Sequence, residues 1–144
     1  YLLCRIADTI EDCPGVAMAD KRRLYDAFVA AAAGTGSEAF AAEAEALIGP
    51  RMSAAERELL ANAPAVIRVT QGFRPEEQAA LLRCLRVMSE GMERFQEGRF
   101  TAGLDDMAHL SEYCYHVAGV VGETLTELFC LHDPAIAARR DRLA

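Results

Sequence analysis

An acidic cluster near the start of the chain has the spacing of a cation site. Asp8 and Asp12 are four residues apart, so a helix places both carboxylates on one face, and Glu11 reaches the same edge. Like charges at this spacing destabilise a helix unless a cation lies between them. Mg²⁺ suits the cluster, because it binds through one or two carboxylates together with substrate phosphates. Arg5 would add donors for phosphate oxygens. The alternative is a solvated helix end in which Arg5 pairs with Asp8.

The residues around this cluster indicate a lined cavity. Tyr1, Arg5, Asp8 and Asp12 form one polar stripe at helical spacing. A core helix would carry leucine at such positions. Here the apolar residues flank the stripe instead: Leu2, Leu3, Ile6 and Ile10. A polar stripe on an otherwise buried helix predicts that its side chains face a cavity.

A second unusual segment runs from Tyr113 to Phe129 and contains Gly119 and Gly122. Each glycine inside a helix costs about 1 kcal/mol relative to alanine, so two glycines within four residues need a reason. Either another helix packs closely against them, or a ligand needs the space. A stripe beside them, along which a long hydrocarbon could lie, comprises Tyr113, Val117, Val120 and Thr124.

Two histidines and two methionines accompany this segment without a clear chemical pattern. His116 has no acid or cysteine at metal-ligand spacing, and His109 lies seven residues before it. We therefore expect neither histidine to be catalytic or to bind a metal. Met88 and Met92 are typical of a core, although methionine also suits a pocket for a flexible apolar ligand.

Helical signals extend through almost the whole chain, and no run of residues has the alternation of a strand. Gly34 ends the second predicted helix, Ser37 caps the third, and Ser53 with Glu56 has the capping-box pattern of the fourth. We predict an all-α antiparallel array with short connections. The predicted helices are 1–11, 18–33, 37–48, 53 to about 62, a stretch to about 70, 75–98, 104–131 and a short helix after Asp133-Pro134. The apolar stripe of the helix over 104–131 is Leu110, Cys114, Val117, Val121, Leu125 and Leu128.

Composition excludes several classes of protein. The 144 residues are 52% hydrophobic and 26% charged, which is enough apolar content to bury a core. The net charge of −7 argues against nucleic-acid binding, which needs surplus positive charge. Five scattered cysteines indicate neither a disulfide framework nor a zinc site, so we expect a reducing, cytoplasmic location and leave membrane association open. No signal peptide or transmembrane stretch is visible.

Three motifs together resemble the squalene and phytoene synthases. The first is YLLCRIADTIED over residues 1–12, similar to that family's first aspartate-rich motif. The second is YCYHVAGVVG over residues 113–122, similar to its Y-C-x-x-V-A-G-x-V-G motif. Between them, CLRVMSEGMERF over residues 84–95 is similar to a pocket-lining helix with an M-x-x-G-M pattern. The DTIED and LTELF segments look closer to squalene than to phytoene synthases.

The resemblance implies a head-to-head prenyl transferase. Such enzymes condense two farnesyl diphosphates, or geranylgeranyl diphosphates, through a cyclopropyl (presqualene) diphosphate. Squalene synthases then reduce this intermediate with NADPH, whereas phytoene and dehydrosqualene synthases rearrange it without reduction. The implied fold is one all-α domain of the isoprenoid-synthase type around a deep apolar cavity, and residues 1–144 would be its central part. Peripheral membrane contact during product release is compatible with such a product, and the oligomeric state stays undetermined.

Roles follow for individual residues by the same resemblance. Asp8, Glu11 and Asp12 match the Mg²⁺-binding acids, Arg5 matches an arginine that contacts diphosphate, and Tyr1 and Tyr113 match tyrosines at the reaction centre. The implied prenyl-chain pocket consists of Met88, Met92, Val117, Gly119, Val121 and Gly122. Asp8 and Tyr113 are accordingly predicted to face one cavity.

The sequence also departs from the family pattern. It contains neither the segment that precedes Tyr1 in the family nor the second aspartate-rich motif, so we expect an internal piece that is inactive by itself. Two alternatives stay open. One is a phytoene or dehydrosqualene synthase. The other, of a different class, is a non-catalytic helical binding or scaffold protein whose acids are merely solvated.

Overall fold

The computed structural model describes residues 1–97, 104 and 106–142. The chain divides into two compact units, Tyr1–Phe73 and Arg74–Ala144. Every regular element within the described residues is helical, so the prediction of an all-α protein is confirmed.

The first unit is built from five α-helices whose boundaries follow local signals. Gly34, with φ of +109°, follows the second helix, and Ser53 and Glu56 form the predicted capping box. The predicted cap Ser37 is instead the first helical residue of its helix, because Gly36 occupies the N-cap with φ of +81°. The elements are α1 (Leu2–Asp12), α2 (Met18–Ala32), α3 (Ser37–Leu47), a 3-10 turn (Gly49–Arg51), α4 (Ala54–Ala61) and α5 (Ala63–Gln71).

The core of this unit anchors the helix that carries the acidic cluster. Ile6 and Ile10 of α1 are fully buried, as are Leu24 and Phe28 of α2. The rings of Phe28 and Phe40 lie 5.1 Å apart and join α2 to α3. Burying an apolar side chain of this size contributes about 1.5–3 kcal/mol. The buried isoleucines therefore hold α1 in one orientation and fix the direction of its polar stripe.

The second unit departs from the predicted single helix over 104–131. Leu104 is not helical, and α7 begins only at Met107, where the Asp106 carboxylate caps it by accepting from the His109 amide. A π-helical turn at Tyr115–Gly119 then interrupts the helix. The elements are α6 (Pro75–Glu97), α7 (Met107–Cys114), the π-helical turn, α8 (Val120–His132), α9 (Pro134–Ala137) and a 3-10 turn (Arg140–Arg142). The predicted end of α6 at Gly98 lies outside the described residues.

The buried face of α8 is also not the one that the apolar stripe marks. Leu110 is 38% exposed and Leu125 47% exposed, and Cys114 is exposed as well. Val120 and Thr124 are buried instead, and α8 packs against α6 with this neighbouring face. On α6 one apolar face forms the core, where Leu85, Met88, Met92 and Phe95 are all buried.

Candidate functional site

The acidic cluster lies on α1 beside the core of the first unit. Arg5 Nη1 lies 3.3 Å from Asp8 Oδ2, and these side chains are 36% and 33% exposed. Arg5 and Asp8 thus form the ion pair expected if this helix end were merely solvated. Both partners, however, are half-buried. Asp12 is exposed, Glu11 is half-buried and Tyr1 is 90% exposed. The polar stripe therefore runs from an exposed start through a half-buried middle to an exposed carboxylate.

Burial and neighbouring charges act together on the Asp8 carboxyl of this face. Burial raises the pKa of the Asp8 carboxyl above its ordinary value; Arg5 opposes this shift, and the charge of Asp12 adds to it. Asp8 and Asp12 are one helical turn apart, and carboxylate oxygens are donors of the kind that Mg²⁺ takes. Within the described residues, no group of three or more acidic, histidine or cysteine side chains comes together as a metal cluster. The assignment of Asp8, Glu11 and Asp12 to Mg²⁺ remains a prediction.

A buried lysine of α2 contacts the end of α1, and the sequence analysis did not predict it. Lys21 of α2 is only 7% exposed, and its Nζ donates to the backbone oxygen of Glu11. Burial lowers the pKa of Lys21, while Cys13, Glu11 and Asp12 act in the opposite direction. The signal was available, because Lys21 stands three residues before Leu24, on the face by which α2 joins the core.

The end of α7 and the π-helical turn carry the aromatic side chains of the second motif. The ring of Tyr113 meets that of Phe95 edge-on, with 5.3 Å between ring centroids. The Tyr115 hydroxyl donates to Glu123 at 3.1 Å, which raises the pKa of Tyr115. His116 Nδ1 lies 3.0 Å from the backbone oxygen of Val87 on α6. This contact joins the imidazole of the π-helical turn to the backbone of α6.

The glycines have different surroundings from those expected for a close helix contact. A Cβ added at Gly122 would meet no atom of the described residues within 4 Å, and one at Gly119 would meet the Tyr115 ring of its own turn at 3.0 Å. The close approach is at Gly91 instead, where a Cβ would lie 2.5 Å from His116 Cγ. The interpretation of Gly119 and Gly122 as a helix-packing pair is therefore wrong among the described residues. Gly122 borders open space among the described residues, and a role in ligand binding remains a prediction.

The six residues of the implied prenyl pocket fall into two groups. Met88 and Met92 are each 1% exposed and belong to the core of the second unit. Val117 and Val121 are half-buried, and Gly119 and Gly122 are exposed. A common role in prenyl binding remains a prediction, as does the shared cavity for Asp8 and Tyr113, which belong to different units.

A cleft of about 360 Å³ in the second unit has the wrong chemistry for a prenyl chain. Arg83 pairs with Glu127 across it, so its walls are charged where a hydrocarbon needs apolar surface. Its lining residues are Arg83, Glu123, Thr126, Glu127 and Arg140.

The described elements define an all-α protein, and comparison with known proteins identifies its family. The model of the squalene/phytoene synthase family matches residues 1–144, and the chain belongs to that family. Its all-α architecture is that of the isoprenoid-synthase type. A similar curated protein is squalene synthase clz20 of Cochliobolus lunatus, 31% identical over 84 residues, which cover 56% of this chain and 20% of that relative. No solved structure matches the chain. Among the helices that the structure describes, none has the length and apolar character to cross a membrane.

Proposed function

We propose that the complete protein condenses two farnesyl diphosphates head to head, through a cyclopropyl diphosphate, and that the intermediate is then reduced to squalene with NADPH. The observation that carries the proposal is the half-buried face of α1, where Asp8 is paired with Arg5 and carries a raised pKa one turn from Asp12. The squalene synthase relative supports the reductive branch. Geranylgeranyl diphosphate is the longer substrate of the same class.

The residues of α1 supply the binding of the diphosphate. Asp8 and Asp12, with Glu11 beside them, would hold Mg²⁺, which neutralises the leaving diphosphate when bound. Arg5 already directs a guanidinium nitrogen to Asp8 Oδ2, and its remaining N–H groups can donate to diphosphate oxygens. The departing group would thus meet positive charge from two sides of one helix face.

The second motif would shelter the allylic cation that diphosphate departure leaves. Tyr113 packs edge-on against Phe95, and aromatic rings stabilise cations through their faces. The half-buried valines, Val117 and Val121, present apolar surface, and the free space at Gly122 leaves room for a prenyl chain. A water-free environment is required because water would convert the cation to an alcohol. We assign none of the described residues to NADPH.

The test uses the full-length protein with farnesyl diphosphate. We expect turnover to require Mg²⁺ and to be lost in Asp8→Asn and Asp12→Asn, which remove one charge at nearly constant volume. Asp26→Asn is the matched control, because Asp26 is an exposed acid on α2. Normal turnover in either α1 variant would contradict the metal assignment.

Product analysis with and without NADPH separates the branches of the family. Squalene that appears only with NADPH supports the proposal. A phytoene or dehydrosqualene type of product in both reactions would assign the chain to the non-reducing branch. Absence of Mg²⁺-dependent farnesyl diphosphate binding would favour the non-catalytic binding or scaffold protein.

A further inference from the structure

The end of α1 lacks the backbone hydrogen bonds by which residues after other helices of the first unit satisfy the last carbonyl groups. After α2, the amides of Gly34 and Thr35 donate to the oxygens of Ala31 and Ala30. After α1, Cys13 is extended, with ψ of 116°, and Pro14 has no N–H to donate. The last carbonyl groups of a helix need other partners in such a case.

Lys21 provides that partner from another helix. Its Nζ donates to the backbone oxygen of Glu11, in the last turn of α1. A cation at this position also meets the negative end of the helix dipole, and α1 has no basic residue of its own in the last turn. Because Lys21 is buried beside fully buried Leu24 and Tyr25, its side chain is held in place by the core.

We infer that Lys21 is a positioning residue for the acidic cluster: its ammonium closes the last turn of α1 and so holds Glu11 and Asp12 in the geometry that binds the cation. This inference rests on the proposed function of the cluster. The lysine itself touches neither substrate nor metal in this role. Its effect passes through the backbone of α1, where Glu11 and Asp12 are the last two helical residues.

The sign of the Mg²⁺ response separates positioning from simple electrostatics. The Lys21 ammonium lies near the acids and repels Mg²⁺. Removing its charge would by itself strengthen the binding of Mg²⁺. Loss of positioning would weaken Mg²⁺ binding. Weaker binding in a Lys21→Met variant that keeps the wild-type fold by circular dichroism therefore indicates loss of positioning and not loss of charge.

The experiment compares Lys21→Met, Lys21→Arg and the control Arg68→Met in the complete enzyme. Arg68 is an exposed cation on α5 of the same unit. In Lys21→Met we expect the half-saturating Mg²⁺ concentration to rise about tenfold, because the variant loses one charged hydrogen bond. We expect Lys21→Arg, which keeps the donors and the charge, to retain most of the wild-type Mg²⁺ affinity. The same or a lower half-saturating concentration in Lys21→Met would overturn the inference.

Hydrogen exchange without metal or substrate gives an independent readout. We expect protection of the amides of residues 9–12 to fall about tenfold in Lys21→Met and to remain normal in Arg68→Met. Unchanged protection would overturn the inference, as would unprotected residues 9–12 in the wild-type protein, a measurement that needs no variant. If protection falls as expected while Asp12→Asn leaves the Mg²⁺ response unchanged, the proposed metal role of the cluster is what fails.

Discussion

Gly91 of α6 lies directly against the imidazole of His116 in the π-helical turn. A Cβ built on Gly91 would lie 2.5 Å from His116 Cγ, closer than side-chain carbons approach in proteins. One turn before Gly91 on α6, the Val87 oxygen lies 3.0 Å from His116 Nδ1. Packing and a hydrogen bond thus join α6 to the turn that separates Tyr113 from α8.

We expect Gly91→Ala to destabilise the protein by about 1–3 kcal/mol, since an added methyl group forces His116 or α6 to move. Denaturant unfolding of the full-length variant measures the loss. Turnover should fall too, because Tyr113 lies just before the displaced turn. A variant with wild-type stability would show that His116 can move away without cost.

Gly122→Ala is the matched substitution in open space. Since the new Cβ meets no described atom within 4 Å, replacing a helical glycine should stabilise α8 by about 1 kcal/mol. We expect turnover with farnesyl diphosphate to decrease nonetheless, because the methyl group occupies space proposed for the prenyl chain. Higher stability with undiminished turnover would contradict the placement of the chain beside Gly122.

Asp8→Asn should stabilise the metal-free protein at neutral pH while it abolishes activity. The folded-state pKa of Asp8 lies above its unfolded value, chiefly because of burial. Its contribution to stability is therefore fully present below about pH 3.9, the unfolded value, and is lost as the pH rises through the folded value. Thermal midpoints of wild type and Asp8→Asn should converge at low pH and separate towards pH 7. Asp26→Asn is the control, and a lower midpoint for Asp8→Asn at pH 7 would refute the argument.

The cysteines should differ in their reaction with a thiol reagent. Cys114 is exposed, whereas Cys13 and Cys84 are buried. Burial also raises the pKa of the Cys13 thiol, which lowers the reactive thiolate fraction at neutral pH. Mass spectrometry after brief alkylation of the native protein should find Cys114 modified first. Modification of Cys13 at a similar rate would indicate that the end of α1 opens readily.

The sequence alone determined the helical elements, because their signals act over a few residues. Pro75 begins α6, Gly34 follows α2, and Ser53 with Glu56 caps α4, as the pattern predicted. The spacing of Asp8 and Asp12 likewise placed both on one face of α1, since helical periodicity requires nothing beyond the helix itself.

The tertiary structure decided which faces and ends of these helices are buried. It buried Val120 and Thr124 in place of Leu125, inserted the π-helical turn, set Gly91 against His116 and brought Lys21 to Glu11. Each outcome depends on a partner from another helix, and local propensity carries no information about which partner will be there. Packing selects among several locally acceptable faces, because only one of them fills the space that the neighbouring helix leaves.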